Sequence, residues 1–490
     1  MGLATSTGST PASSTTTRQG PATWQQWWIN AWRPTNTEAG YRITEIEGEV
    51  PRELHGTLFR NGPSQKILPA EGYGALHLFD GDGLVHAFRF DDGAVSYRGR
   101  FVEHPTYLRE QAEGRYCMNG VGVQVADPVE PFRVQPNTNV VYHHGKLMAL
   151  VENSWPTVMD ARTLETSGVM FGFDGQQLGM SVTAHPKIDG KTGQMIIHGY
   201  QPFEPYLQLY VVEPDGRCSL AETIDAPYAV MAHDVAITEN YVIFIWPPAY
   251  FDGMKIAEGG SFNESVRWEP ERGLLFGIRR REAGAKTQWF TAPSPGFIFH
   301  PGNAYEEDGK IYMDACTYPE GGALLQALSG FRSATIPEGF YAVPFLYEFD
   351  LASGECRERQ LDDRGVEFPR IDDRLVGHKN RYGYAAMSRR GNAMVDTWAN
   401  IVRYDRQGGR SVVHDFGKWQ WPSEPVFVPR SSDAAEDDGF VLCTVYDGIT
   451  DGSYLAVLDA RNMDAKPLAK CHLQHRIPLG FHGNFAPGIV

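Results

Sequence analysis

From residue 40 onward one local pattern recurs: a β-branched or aromatic run, a turn rich in Gly and Asp, then a second such run. It appears as AFRF-DDG-AVSYRG at 87–99, LYVVE-PDG-RCSL at 209–220 and LYEFD-LASG-ECRERQ at 346–360. IVRYD-RQGG-RSVVHDF at 401–416 and YLAVLDARNMDAKPLAKCHL at 454–473 repeat it. Each unit reads as a β-hairpin, because tight connections need residues that tolerate positive φ. Hairpins in series, without long amphipathic helices between them, predict an all-β array. Roughly 450 residues of such units exceed what a sandwich uses and fit a β-propeller. The 52 glycines and 32 prolines among 490 residues agree with many short strands and argue against a helical bundle. No WD or kelch repeat marks the blades, so periodicity alone leaves their number open.

Residues 1–22 are rich in Ser, Thr and Gly and are expected to form a disordered tail, with 23–490 as one domain. The tail lacks the apolar core of a secretory signal; as a Ser-rich, acid-poor start it leaves a plastid transit peptide as the weaker alternative to a cytoplasmic location. Trp24, Trp27, Trp28 and Trp32 then fall at helical spacing. They predict a short helix docked on the body by its indoles, with an interfacial membrane anchor as the alternative. A formal charge of −16 without any Lys/Arg block excludes nucleic acid as a natural partner. Six cysteines without a C-x-x-C pair point to a reducing compartment rather than to disulfides or a thiolate zinc site. The run YVIFIWPPAYF at 241–251 is too short to span a bilayer and is broken by two prolines. It is expected to expose Phe244, Ile245, Trp246, Tyr250 and Phe251 as a peripheral membrane contact, with packing of these side chains inside a dome over the propeller as the alternative. Oligomeric state is not legible.

Among fifteen histidines, four share a context at the end of an apolar or small-residue run: His185, His233, His300 and His482. Their separations are 48, 67 and 182 residues, and the last is close to three times 61. One blade of a seven-bladed propeller takes roughly 65 residues of a chain this long. Histidines spaced by whole blades would all point at the axis, where four imidazoles make a metal site. A single strand histidine is more often a satisfied core residue, so spacing alone leaves both readings open.

The surrounding motifs are more specific. They are GTLFRNGP at 56–63, LFDGDGLVHAFRF at 78–90, PNTNV at 136–140, TAHPK at 183–187 and AHDVAIT at 232–238. FIFHPGNAYEEDGKI at 297–311, EFPRID at 367–372, EPVFVPR at 424–430, AEDDGFVL at 435–442 and HRIPLGFHGNF at 475–485 follow. In this order they resemble the carotenoid cleavage oxygenase family from about residue 40 to the C-terminus. The resemblance implies an all-β, seven-bladed propeller with a dome of loops and short helices over an axial metal site. It implies Fe(II) held by His185, His233, His300 and His482, with O₂ as co-substrate.

It also implies that Glu152 (MALVEN), Glu367 and Glu424 orient the imidazoles through their N–H groups, as carboxylates behind metal-bound histidines do. All-nitrogen ligation with open positions suits Fe(II) and O₂ better than closed tetrahedral zinc. Thr138 matches the position that crowds the vacant coordination site, and Phe299 a position lining the substrate tunnel. Relatives that cleave stilbenes or isoeugenol carry Lys where this chain has Val151. A phenol facing valine lacks a polar partner, so Val151 points towards an apolar polyene. The expected activity is therefore dioxygenase cleavage of a carotenoid or apocarotenoid double bond into two carbonyl products. The alternatives are the same cleavage of an aryl alkene, ester isomerohydrolysis at the same metal, and an inert propeller scaffold. The acidic turns FDGDG and AEDDG lack calcium-loop spacing and read as tight turns.

Overall fold

The computed structural model describes residues 20–69, 79–152, 154–174, 176–258, 260–330, 340–388 and 399–490. Most of the expected N-terminal tail, residues 1–19, lies outside them. All five hairpins read from the sequence form as antiparallel strand pairs. Asp92-Gly93 shows how the turns close: both residues take positive φ (43° and 75°), which matches the twist of the flanking strands.

The hairpins assemble into seven antiparallel sheets, the blades of a β-propeller. The first strands of the second to seventh blades are, in order, Asn139–His143, Lys187–Ile188, Val235–Ile237, Phe297–Glu307, Val366–Arg370 and Val426–Pro429. In the first blade that place is taken by the last strand of the chain. Gly483–Pro487 pairs antiparallel with Gly56–Ser64, so the two ends of the chain close the ring. The core lies within and between blades, as in the cluster of Leu58, Phe88, Phe90, Leu442, Leu455 and Val457 joining the first and seventh.

The tryptophan helix is present as Trp24–Trp32, capped by Thr23, whose hydroxyl accepts the Gln26 N–H at 3.2 Å. Trp27, Trp28 and Trp32 are buried, with ring centroids 4.8, 5.2 and 6.4 Å from Trp421. Their burial, with Trp24 partly buried against the same cluster, supports docking on the body. Trp32 also packs on Phe481 at 5.7 Å, one residue from His482.

The 241–251 segment is not the exposed surface expected of it. Tyr241–Trp246 is an interior strand of the fourth blade, paired on one side with Val235–Ile237 and on the other with Leu275–Arg280. Phe244, Ile245 and Trp246 are at most 1% exposed, Phe251 is buried, and the Trp246 indole N–H donates to the Tyr228 carbonyl at 3.1 Å. Tyr250 is half-buried between the guanidinium groups of Arg267 and Arg272. The physical reason is that an interior blade strand is covered on both faces and must be apolar throughout. Pro247 and Pro248 follow its end, where no ladder hydrogen bond is lost.

Candidate metal centre and substrate cavity

Each blade places one polar residue at the same end of its first strand. His482 and Thr138 immediately precede theirs; His185, His233 and Glu424 stand two residues before. His300 and Glu367 lie within theirs. The three-blade interval from His300 to His482 explains the long third spacing: the two intervening blades contribute Glu367 and Glu424 instead of ligands.

The four imidazoles converge. Ring centroids lie 4.3 Å apart for His185–His233, 4.7 Å for His185–His482, 4.8 Å for His300–His482 and 5.3 Å for His233–His300. Ligand atoms of His185, His233 and His300 all fall within 4.8 Å of one another. All four residues are at least nine-tenths buried.

Each of the three glutamates contacts one of the imidazoles. His300 Nδ1 donates to Glu367 at 2.6 Å, His482 Nδ1 to Glu424 at 2.9 Å, and His233 Nδ1 to Glu152. A carboxylate on Nδ1 fixes the proton there and leaves the Nε2 lone pair free for a metal. Nε2 of His300 and of His185 is buried without a hydrogen-bond partner. Such atoms are costly unless something binds them, so the donor set fits a divalent cation. Burial and the neighbouring imidazoles hold His185 well below the usual histidine range, and burial lowers His482 to about 4, so both are neutral donors. His185 differs from the others: its nearest carboxylate, Asp234, is 3.8 Å away and is ion-paired to Lys187 at 2.6 Å.

Three supporting residues were not singled out from the sequence. Arg60 and Arg370 both contact Glu424, at 3.0 and 3.3 Å, and Tyr200 Oη donates to Glu152 at 2.7 Å. Both arginines stand inside motifs noted above, GTLFRNGP and EFPRID, but a motif does not reveal what its charge faces. Against the cost of burial, Arg370, His482 and Arg60 hold Glu424 below the usual carboxylate range. Phe368 adopts φ 54°, rare for a bulky residue, and its ring stacks on His300 at 5.5 Å.

A cavity of about 430 Å³ meets the cluster on the side of the long connections. Thr138, Val151, Glu152 and His233 line its metal end, and Phe79, Phe132, Val134, Met231, Phe251 and Ile256 supply most of the remaining apolar wall. Thr138 and Val151 both face this cavity. Phe299 does not line this cavity. Its ring stacks on His300 at 5.8 Å and stands edge-on to His233 at 4.7 Å and to Phe297 at 4.7 Å, where a β-bulge between Ile298 and Pro301 interrupts the alternation of the strand.

The family model of the retinal pigment epithelial membrane protein matches residues 32–487. The chain belongs to that family, the carotenoid oxygenases. The carotenoid 9,10(9′,10′)-cleavage dioxygenase 1 of Pisum sativum is 32% identical over 489 residues, covering 90% of this chain and 86% of the relative. An isoeugenol monooxygenase of Pseudomonas putida is 34% identical over 473 residues, covering 92% and 95%. The crystal structure of a cobalt-substituted Synechocystis apocarotenoid oxygenase superposes with a TM-score of 0.84 at 29% identity, over 94% of this chain and 99% of that one. This carotenoid-oxygenase chain is accordingly an oxygenase built on a seven-bladed propeller.

Proposed function

We propose that this oxygenase holds one Fe(II) on His185, His233, His300 and His482 and uses O₂ to split a carbon–carbon double bond of a carotenoid or apocarotenoid into two carbonyl products. The observation that carries the reading is four convergent imidazoles, three of them locked by glutamates, opening onto an apolar cavity. Bound iron would supply the activation of O₂, which does not react with closed-shell alkenes unaided. Both oxygen atoms end in the two carbonyls, so no protein acid or base is required. The chain's own residues orient and exclude. Glu152, Glu367 and Glu424 fix the imidazole planes, Thr138 narrows the approach to the metal, and the apolar wall holds one bond of the substrate against it while keeping water out.

Val151 in the cavity wall favours a polyene over a phenolic substrate. Phe132, which lines the cavity and is 52% exposed, and Met254, 65% exposed beside the cavity residue Ile256, mark a mouth suited to an apolar substrate taken from a membrane surface. A second reading, an aryl alkene, is favoured by Gln135: it lines the same cavity and its buried Oε1 has no hydrogen-bond partner, as a substrate hydroxyl would require. Incubating iron-loaded protein with carotenoids, apocarotenals, stilbenes and isoeugenol under ¹⁸O₂, with products read by mass, tests both. Paired aldehydes from a polyene, each labelled, are expected. Turnover of the aryl alkenes alone would replace the polyene reading, and no cleavage of any of them would overturn both.

A further inference from the structure

The three carboxylates behind the imidazoles are not equivalent. Glu152 takes, besides His233, a neutral phenol: the Tyr200 hydroxyl at 2.7 Å. Glu367 takes, besides His300, the Phe368 N–H at 2.6 Å. Glu424 takes, besides His482, two guanidinium groups, with Arg60 Nη1 at 3.0 Å and Arg370 Nη1 at 3.3 Å from the same oxygen, Oε2. That oxygen also accepts the Gly483 N–H at 2.9 Å. Arg60 and Glu424 are 2% and 3% exposed, so solvent screens neither charge. Arg60 is fixed further by Nη2, which donates to the Phe481 carbonyl at 3.0 Å.

A carboxylate that accepts an imidazole N–H raises the basicity of the ring's other nitrogen. Cations on the same carboxylate withdraw part of that effect, most strongly where the dielectric is low. We propose that Arg60 is a positioning residue that acts through Glu424 to make His482 the weakest of the three carboxylate-held donors. The positive charge it places behind the site raises the reduction potential of the bound metal. A ferrous resting state is thereby favoured, as an enzyme that must meet O₂ reduced requires. The inference rests on the metal-site reading above.

The test is anaerobic potentiometric titration of the iron-loaded full chain, as wild type, Arg60→Gln and Arg60→Lys. Removing the cation should raise the ferric-over-ferrous preference about tenfold, a fall of about 59 mV for a one-electron couple. Arg60→Lys, which keeps the charge, should return to the wild-type potential. A merely structural role would loosen metal binding in both variants without this charge-dependent sign. Equal potentials in all three proteins, or a Lys variant as low as the Gln variant, overturn the inference. Should Arg60→Gln not fold, Arg370→Gln removes the second cation and must move the potential the same way. Equilibrium dialysis against Co(II) separates the two levels. Wild type that retains no metal sinks the metal-site reading and this inference with it, whereas one retained ion with unmoved potentials sinks the inference alone.

Discussion

His300 and Glu367 stand on the first strands of consecutive blades, and the Nδ1–H of one donates to the carboxylate of the other at 2.6 Å. Two rigid sheets thus hold a single imidazole plane. Glu367→Gln keeps the shape of this contact and removes its charge. It should cost ~10–100-fold in metal affinity or activity, the usual effect of losing a carboxylate behind a metal-bound histidine. Metal content after dialysis, with turnover at saturating iron, measures both; wild-type values would make Glu367 an ordinary buried carboxylate.

His300→Ala removes one of the three imidazoles whose ligand atoms lie within 4.8 Å of each other. Metal retention and alkene cleavage should be lost together while far-UV circular dichroism is unchanged, because the blades do not depend on this ring. Chelation of the wild type should give the same loss, reversed by Fe(II) and not by Zn(II). Full activity with zinc, or after chelation, would remove iron from the mechanism.

Val151 lies in the cavity wall beside Glu152. Val151→Lys introduces an ammonium group that an apolar polyene cannot solvate. Polyene kcat/KM should fall at least ~10-fold, more than 1.4 kcal/mol of transition-state stabilisation, while a phenolic alkene gains relative to it. An unchanged ratio of the two would mean that Val151 does not face substrate.

How much of this was legible in the sequence follows from what kind of signal each residue leaves. Hairpins are local, and their Asp-Gly turns announced them. The ligands were legible through spacing, since His300 and His482 are three blades apart, and through the motifs that surround them. The Arg60–Glu424 contact joins residues 364 positions apart, and nothing in either segment reports the other. Phe299 and the 241–251 strand failed for a different reason. Phe299 sits at a β-bulge, where side-chain alternation breaks and no local signal reports the direction taken, and an all-apolar run reads alike as an exposed patch or as a strand buried on both faces.

Three buried histidines outside the ligand set contribute to the acid response. Burial lowers His86 to about 3, and His104 and His198 to about 4. Each is neutral in the folded chain at pH 5 but protonated once unfolded, where the ordinary value is about 6.5. The unfolded state therefore binds more protons, and stability falls as pH drops from about 6.5 towards 4, by up to about 1.4 kcal/mol per pH unit for each histidine. Urea unfolding of the chelated protein at pH 7, 6, 5 and 4 should show this loss. His86→Gln, which keeps a polar partner for the Tyr97 hydroxyl at 2.8 Å, should flatten it. Equal stability at pH 7 and pH 5 would contradict the burial of these rings.

Trp246 separates the two readings of its segment most sharply. Its side chain is fully buried, it stands at centroid distance 5.6 Å from Trp289, and its indole N–H is satisfied by the Tyr228 carbonyl. Trp246→Ala should therefore leave a cavity that the fourth blade cannot close. The cost should be about 3–5 kcal/mol in the urea midpoint-derived stability, as for other large-to-small core changes. Liposome flotation should be the same for the variant and the wild type, because the ring never reaches the surface. Phe132→Ser, at the exposed mouth, should do the reverse, leaving stability within ~0.5 kcal/mol, as for surface substitutions generally. It should reduce whatever vesicle binding the wild type has. A Trp246→Ala protein of undiminished stability that no longer floats would return the segment to the surface.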